Sequence, residues 1–322
     1  MTGVQNRTAL VTGATSGLGF EAAAQLAEQG YRRVIATGRT EAKIADAIAR
    51  LSDRTGRGVF EPLVLDNDDL ETVEAAAEEL ARRSGAIDVA ILNAGIAPPK
   101  DLLKNDYGYD VTVTSSLIGH LLTMRLLERG LLVDDASIVI AGSEAARGDV
   151  PTFKTADLPG MAREPFKGDL EAAIDAQMRM DPPATYQPSD AYATVKLFVA
   201  WWAAELARAL PEGMTVNAGS PGSTPDTNAI NNAPFCMRKL MVPLFRLIPG
   251  MSHSVGDGAG RYLEVAGYDS AVTGKFFASK PKKMTGPLHE ITMDHFDDPV
   301  GRRALWNVTT RVAGGVGYPA AS

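Results

Sequence analysis

Apolar and polar positions along this chain follow two alternating spacings. Short runs that are apolar nearly throughout, Thr8–Val11, Arg33–Thr37, Val59–Leu65, Val89–Leu92, Ala136–Ala141, Met214–Ala218 and Lys275–Ala278, read as strands. Between most of them lie segments whose apolar residues recur every three or four positions, the signature of a helix with one buried face. These predict helices over Phe20–Gln29, Glu41–Leu51, Leu70–Arg83, Tyr107–Arg129, Ala191–Leu210, near Asn228–Leu247 and over Val255–Ala266. Gly30 ends the first helix, because glycine accepts the left-handed conformation found at helix C-termini. Strands that are apolar along their whole length need cover on both sides. The pattern therefore predicts an α/β fold, a doubly wound parallel sheet of about seven strands with helices on both faces.

The alternation fails between Gly148 and about Pro188, where prolines are frequent and Asp169–Met180 is the one helix candidate. That stretch is too long for an ordinary connection and reads as an insertion, residues 148–188. Beyond Ala278 the pattern predicts an irregular tail, residues 281–322, with one short helix around Ala304–Val312. No repeat or low-complexity tract divides the chain, so residues 1–322 read as a single domain.

Composition narrows the function classes. A chain of 322 residues with 45% hydrophobic and 22% charged positions can bury a full core. Its formal charge of −7 argues against a polyanionic partner, and Lys280-Pro-Lys-Lys283, the one basic cluster, reads as a solvated loop. A lone cysteine, Cys236, allows no intramolecular disulfide and fits a reducing compartment. The N-terminus lacks the pattern of a secretion signal, and the longest apolar run, Leu197–Ala204, is too short to span a membrane. The expectation is a cytoplasmic protein acting on a small molecule, with no nucleic-acid partner. The four histidines, His120, His253, His289 and His295, show no paired ligand spacing, and no metal site is expected.

Candidate chemistry begins at Thr12-Gly13-Ala14-Thr15-Ser16-Gly17-Leu18-Gly19, between the first strand and the first helix. Glycines there let the backbone turn sharply and approach a ligand, and free N–H groups at a helix start attract negative charge. A plain turn is the competing reading. Downstream, Tyr192-Ala-Thr-Val-Lys196 puts a phenol and an ammonium on one helix face. A nearby positive charge favours phenolate, so the pair predicts a tyrosine tuned below its ordinary value of about 10 for proton transfer. A half-buried tyrosine beside a surface lysine is the bland alternative.

Taken in order, Thr12–Gly19, Asn93-Ala94-Gly95, Ser143, Tyr192 to Lys196 and Pro221-Gly222 resemble the short-chain dehydrogenases/reductases over nearly the whole chain. The resemblance implies a Rossmann-type fold with its site beyond the carboxyl ends of the strands. It implies Tyr192 as general acid/base, Lys196 as the group that tunes it and binds the nicotinamide ribose, and Ser143 as the holder of the substrate oxygen. Gly13, Ser16, Gly17, Leu18 and Gly19 would line the pyrophosphate, Asp66 would meet the adenine, and Thr15 and Asn67 would also bind the cofactor. Asn93 and Gly95 would flank the adenosine ribose, Thr227, or less favourably Thr224, would contact the nicotinamide amide, and Ala94, Pro221 and Gly222 would also bind the cofactor. The second strand ends Thr37-Gly38-Arg39 with no acidic residue, and Arg39 offers a planar cation to a 2′-phosphate. NADP(H) is expected over NAD(H); the competing reading of Arg39 is a solvated loop arginine.

Two departures qualify the resemblance. Ser116 stands where the family has an asparagine that organises a water-linked proton path, so Ser116 is the candidate for that role. His120, one turn later, reads as structural rather than as a base. The 49 positions from Ser143 to Tyr192 far exceed the usual spacing, and the long stretch resembles retinol dehydrogenase, protochlorophyllide reductase and carbonyl reductase members. Such an insertion could cover the cleft or the helix face through which relatives associate, so a monomer or homodimer is expected before a tetramer. Residues 223–267 form the substrate-side helical segment. Ile96–Pro99, Met178, Met180, Phe235, Met237, Met241 and Phe245 could line a pocket for a bulky apolar substrate; for methionines and aromatics at helical spacing, core packing is the favoured competing reading. The leading expectation is hydride transfer between NADPH and a carbonyl or alcohol. A nucleotide-binding regulator without turnover, or a cofactor-recycling isomerase or dehydratase, are the alternatives.

Overall fold

The computed structural model describes residues 4–83, 85–150, 152–224 and 252–312. Among these residues seven strands run parallel: β1 (Thr8–Val11), β2 (Arg33–Gly38), β3 (Phe60–Val64), β4 (Ile87–Leu92), β5 (Leu132–Ala141), β6 (Thr215–Gly219) and β7 (Phe276–Ala278). An eighth, β8 (His289–Glu290), pairs antiparallel with β7. The order across the sheet is β3-β2-β1-β4-β5-β6-β7-β8, as expected for a doubly wound α/β fold. The order reverses at β1, which pairs with both β2 and β4. Ligands of such sheets bind at the crevice this reversal opens.

Strand periodicity decides which side chain faces which layer. Leu10, Ile35, Leu63, Leu92, Ile138 and Ile140 join one buried cluster, while Ala9, Val11, Val34, Ala36, Ile91 and Val139 join another. The first cluster packs beneath α3 (Leu70–Arg82), α5 (Leu122–Glu128) and α8 (Pro188–Ala209). The second packs beneath α1 (Gly17–Glu28), α2 (Glu41–Thr55) and α9 (Val255–Ala266). Because α1 presents Ala22, Ala23, Ala24 and Ala27 to the sheet, it can approach closely.

One predicted helix is broken. Instead of a single helix over Tyr107–Arg129, the chain forms α4 (Val111–Ser116), a 3-10 turn at Ile118–Leu121, and then α5. Val111-Thr-Val-Thr-Ser-Ser116 is poor in helix formers, and Leu117 leaves helical geometry at φ −130°. Tertiary contact sharpens the break: a Cβ on Gly119 would fall 2.2 Å from the Asn67 Cβ, so the glycine admits the end of the β3 connection.

The insertion holds two helices where one was expected, α6 (Leu158–Arg163) and α7 (Leu170–Arg179). Leu158-Pro-Gly reads as a breaker, yet proline is well suited to a first helical turn, and Asp157 caps it by accepting from the Gly160 N–H at 2.9 Å. The C-terminal helix α10 runs Pro299–Val312, longer than its sequence pattern predicts. It packs on α8 through Trp202 and Trp306, whose ring centres lie 6.3 Å apart. In turn α7 is tied to α10, with Asn307 donating to Glu171 at 2.7 Å. The apolar face of α8 is therefore covered from within the chain. Among the described residues, no helix is long and apolar enough to cross a membrane.

Candidate active site

The turn after β1 is held by its neighbours' strand ends. Thr12 Oγ1 accepts from the Ala94 N–H at 2.9 Å, and Asn93 Nδ2 donates back to the Thr12 carbonyl at 3.1 Å. On the other side, the Thr37 side chain and carbonyl accept from the Gly13 and Ala14 N–H groups. Gly13 and Gly17 both adopt positive φ, +66° and +58°. A Cβ on Gly19 would lie 2.4 Å from the Gly13 carbonyl oxygen, so only bare backbone fits this crossing. Ser16 and Thr15 lie on the open side, and the Thr15 carbonyl accepts from Arg50 at 2.9 Å.

Around this turn the structure gathers most of the residues singled out above. Exposed Arg39 follows Gly38 at the end of β2, and its charge is felt by Asp68. Gly38 packs tightly, since a Cβ there would meet the Thr15 methyl at 2.5 Å. Asn67 is buried and donates to the Ser115 carbonyl at 3.0 Å, while partly exposed Asp66 accepts from the Asp68 N–H at 3.1 Å. Gly95 faces Ser116, whose Oγ would stand 2.8 Å from a Cβ at that glycine. Leu18 reaches toward α9, against Gly258 and the chain after β6. Thr227 and the segment Asn228–Leu247, with Phe235, Met237, Met241 and Phe245, lie outside the described residues. Thr224 is described, with its methyl against Gly258.

Ser143, Tyr192 and Lys196 meet beyond the end of β5. Ser143 caps the 3-10 turn Glu144–Arg147, its Oγ accepting from the Ala145 N–H at 3.2 Å. Lys196 is buried, donates from Nζ to the Ala141 carbonyl at 2.8 Å, and lies 5.7 Å from the centre of the Tyr192 ring. Burial drives the lysine down to about 8. The Tyr192 phenol goes up: burial dominates, the Ser143 hydroxyl opposes it, and the Glu144 carboxylate adds to it. This differs from the sequence expectation of a lowered phenol. The reason is that desolvation of the phenolate outweighs its cation, whose ammonium is directed to a backbone carbonyl.

Ser116 and His120 sit behind Lys196. Both are buried, and neither the Ser116 hydroxyl nor either His120 ring nitrogen has a hydrogen-bond partner among the described residues. Burial, reinforced by the Lys196 charge, pushes the imidazole down to about 3, so it is neutral at physiological pH. Met178 and Met180, which the sequence allowed at the pocket mouth or in the core, are buried, Met178 within the core beneath the sheet. The reason is the seating of α7: the Asp110 N–H bonds the Met178 carbonyl, and Tyr109 bonds Asp175 at 2.8 Å.

Three side chains at the site escaped sequence reasoning. Phe153, from the start of the insertion, places its ring centre 6.4 Å from that of Tyr192. The segment is fixed there because the Lys154 and Ala156 N–H groups donate to Asp190 and Thr194 on α8. Glu144 and Arg261 form a buried ion pair beside Ser143, at 3.5 Å. An acid directly after Ser143, in an otherwise apolar run, was the available signal for the first of the pair. Arg261, 117 positions later, carries none.

The short chain dehydrogenase family pattern (adh_short) matches residues 7–155. The chain is 25% identical over 229 residues to the short-chain dehydrogenase/reductase phmF of Phaeosphaeria nodorum, covering 69% of this chain and 63% of that protein. It is 26% identical over 315 residues to the WW domain-containing oxidoreductase of Danio rerio, covering 96% and 69% of the two chains. Protochlorophyllide reductase of Avena sativa is 26% identical over 320 residues, 95% of this chain and 99% of that one. Among solved structures, a Mycobacterium Paratuberculosis protein aligns with TM-score 0.67 at 23% identity, covering 97% and 95% of the chains. A Burkholderia cenocepacia short chain dehydrogenase in complex with NADP aligns at 0.60 and 24%, covering 85% and 96%. Strand order, the turn at the sheet's reversal and these relatives agree: residues 7–155 carry the short-chain dehydrogenase pattern, and the chain resembles NAD(P)-dependent oxidoreductases of the short-chain dehydrogenase/reductase family over nearly its whole length.

Proposed function

We propose that this protein interconverts a carbonyl and an alcohol with NADP(H). The observation that carries the reading is the meeting of Ser143, Tyr192 and Lys196 at one end of the sheet, next to a backbone turn too tight for side chains. That bare turn, opening a helix, fits a pyrophosphate. Arg39, with no acid at the end of β2, supports the 2′-phosphorylated dinucleotide. Bound there, a nicotinamide would supply or accept a hydride.

The chain's own groups handle the proton and the oxygen. Tyr192, kept protonated by burial, donates its phenol proton to the substrate oxygen in the reducing direction and takes one back in the other. The Ser143 hydroxyl, which bonds the Tyr192 phenol while its Oγ accepts from the Ala145 N–H, turns to donate to the same substrate oxygen as charge develops. Lys196, while protonated, stabilises the phenolate that Tyr192 leaves behind. Phe153 offers an apolar wall beside the phenol, which supports a bulky apolar substrate. We expect Tyr192→Phe to lower kcat/KM at least about 100-fold across a panel of hydrophobic ketones and aldehydes, with NADPH affinity unchanged. Wild-type turnover in that variant would refute the mechanism. NADPH binding without turnover of any substrate by the wild type would favour a regulator instead.

A further inference from the structure

Glu144 is 1% exposed and follows Ser143 directly, yet nothing in proton or hydride transfer uses it. Its carboxylate collects donors from three separate parts of the chain. Ser279, just after β7, donates from its N–H at 3.1 Å and its hydroxyl at 3.0 Å. Ser220, just after β6, donates its hydroxyl to the other oxygen, and Arg261 of α9 approaches at 3.5 Å.

Ser220 grips the loop after β6 directly, Arg261 reaches it through His253, and Ser279 is tied to Arg261. The Ser220 Oγ accepts from the Gly222 N–H at 3.2 Å. Arg261 Nη1 lies 3.2 Å from both Ser279 Oγ and His253 Nε2, and the His253 N–H bonds the Ser223 carbonyl at 2.7 Å. Gly222 is pressed onto this cluster, for a Cβ there would come within 2.5 Å of Arg261 Nη1. A buried ion pair is weak evidence for stability, since apolar residues of similar volume often serve as well. What it provides here is fixed geometry between two strand ends.

We propose that Glu144 is a positioning residue which, through Ser220, Ser279 and Arg261, holds the Pro221–Thr224 loop in register with the Ser143 hydroxyl. The inference rests on the dinucleotide reading above, in which that loop faces the nicotinamide. Glu144 thereby couples cofactor placement to the residue that would hold the substrate oxygen.

The test compares Glu144→Met/Arg261→Met, which removes the pair without leaving a lone buried charge, with the milder Ser220→Ala. NADPH affinity is read by fluorescence titration, amide exchange across residues 220–224 by mass spectrometry, and folding by thermal melts. Positioning predicts about tenfold weaker NADPH binding in the double variant, a smaller loss of about threefold in Ser220→Ala, and faster loop exchange in both, with melting temperatures close to wild type. If the double variant does not fold, Ser220→Ala decides by the same readouts. Folded variants with wild-type affinity and wild-type loop exchange would overturn the proposal. If the wild type binds no dinucleotide at all, the proposed function fails, and loop exchange alone then decides whether Glu144 holds the loop.

Discussion

The Lys196 ammonium donates to the Ala141 carbonyl at 2.8 Å and sits 5.7 Å from the Tyr192 ring centre. This places a desolvated cation beneath the proposed acid, and burial lowers it from 10.5 to about 8. Between those two values the unfolded chain binds a proton that the folded chain does not, so stability rises with pH across that window. Below pH 8 the full burden of burying the charge is present, about 3 kcal/mol. Lys196→Met should accordingly stabilise the ligand-free protein at pH 7 by roughly 1–3 kcal/mol in urea melts while abolishing turnover. The gain should shrink as pH approaches 10.5, and a destabilised variant at pH 7 would contradict the assignment.

His120 makes the opposite end of the pH scale informative. Its imidazole is held near 3 in the folded state against an ordinary 6.5, so the unfolded chain binds the extra proton as pH falls below 6.5. Stability attributable to the neutral ring is lost progressively from there, by about 2 kcal/mol at pH 5. His120→Leu should remove that acid-side loss, leaving a smaller difference between melts at pH 7 and pH 5 than the wild type shows. An unchanged pH dependence would place the acid sensitivity elsewhere.

The crossing of Gly19 over Gly13 offers a test of the turn that needs no substrate. Backbone cannot yield as a flexible side chain can, and the 2.4 Å approach of a Cβ to the Gly13 carbonyl must be relieved by moving the turn or the helix. Gly19→Ala should cost about 2 kcal/mol or more and weaken dinucleotide binding severely. Calorimetry and fluorescence titration read the two effects. Full NADPH affinity in a folded Gly19→Ala protein would remove the turn from the binding site.

Cofactor choice can be tested at Arg39. Arg39→Asp exchanges a phosphate partner for a ribose-hydroxyl acceptor, and should weaken NADPH binding by about 10- to 100-fold while improving NADH. Equal wild-type affinities for NADPH and NADH would show that Arg39 is a solvated arginine with no part in recognition.

Much of this architecture was legible in the chain because its signals are local. Continuous apolar runs such as Ile138–Ala141 demand cover on both faces, Gly13 and Gly17 mark a turn that other residues reach only with strain, and the four-residue spacing of Tyr192 and Lys196 aligns them on one helix face. The proposed reaction could be read from those elements in order. Other features depended on partners distant in sequence. The helix before β5 breaks where Asn67 presses on Gly119, the helices of the insertion are seated by Tyr109 and α10, and Glu144 finds Arg261 only once β5 and α9 are packed. Protonation was decided the same way. Spacing put an ammonium beside a phenol, but burial, a property of the whole packed site, raised Tyr192 and lowered Lys196, because desolvation sums over every neighbour while sequence spacing names only one.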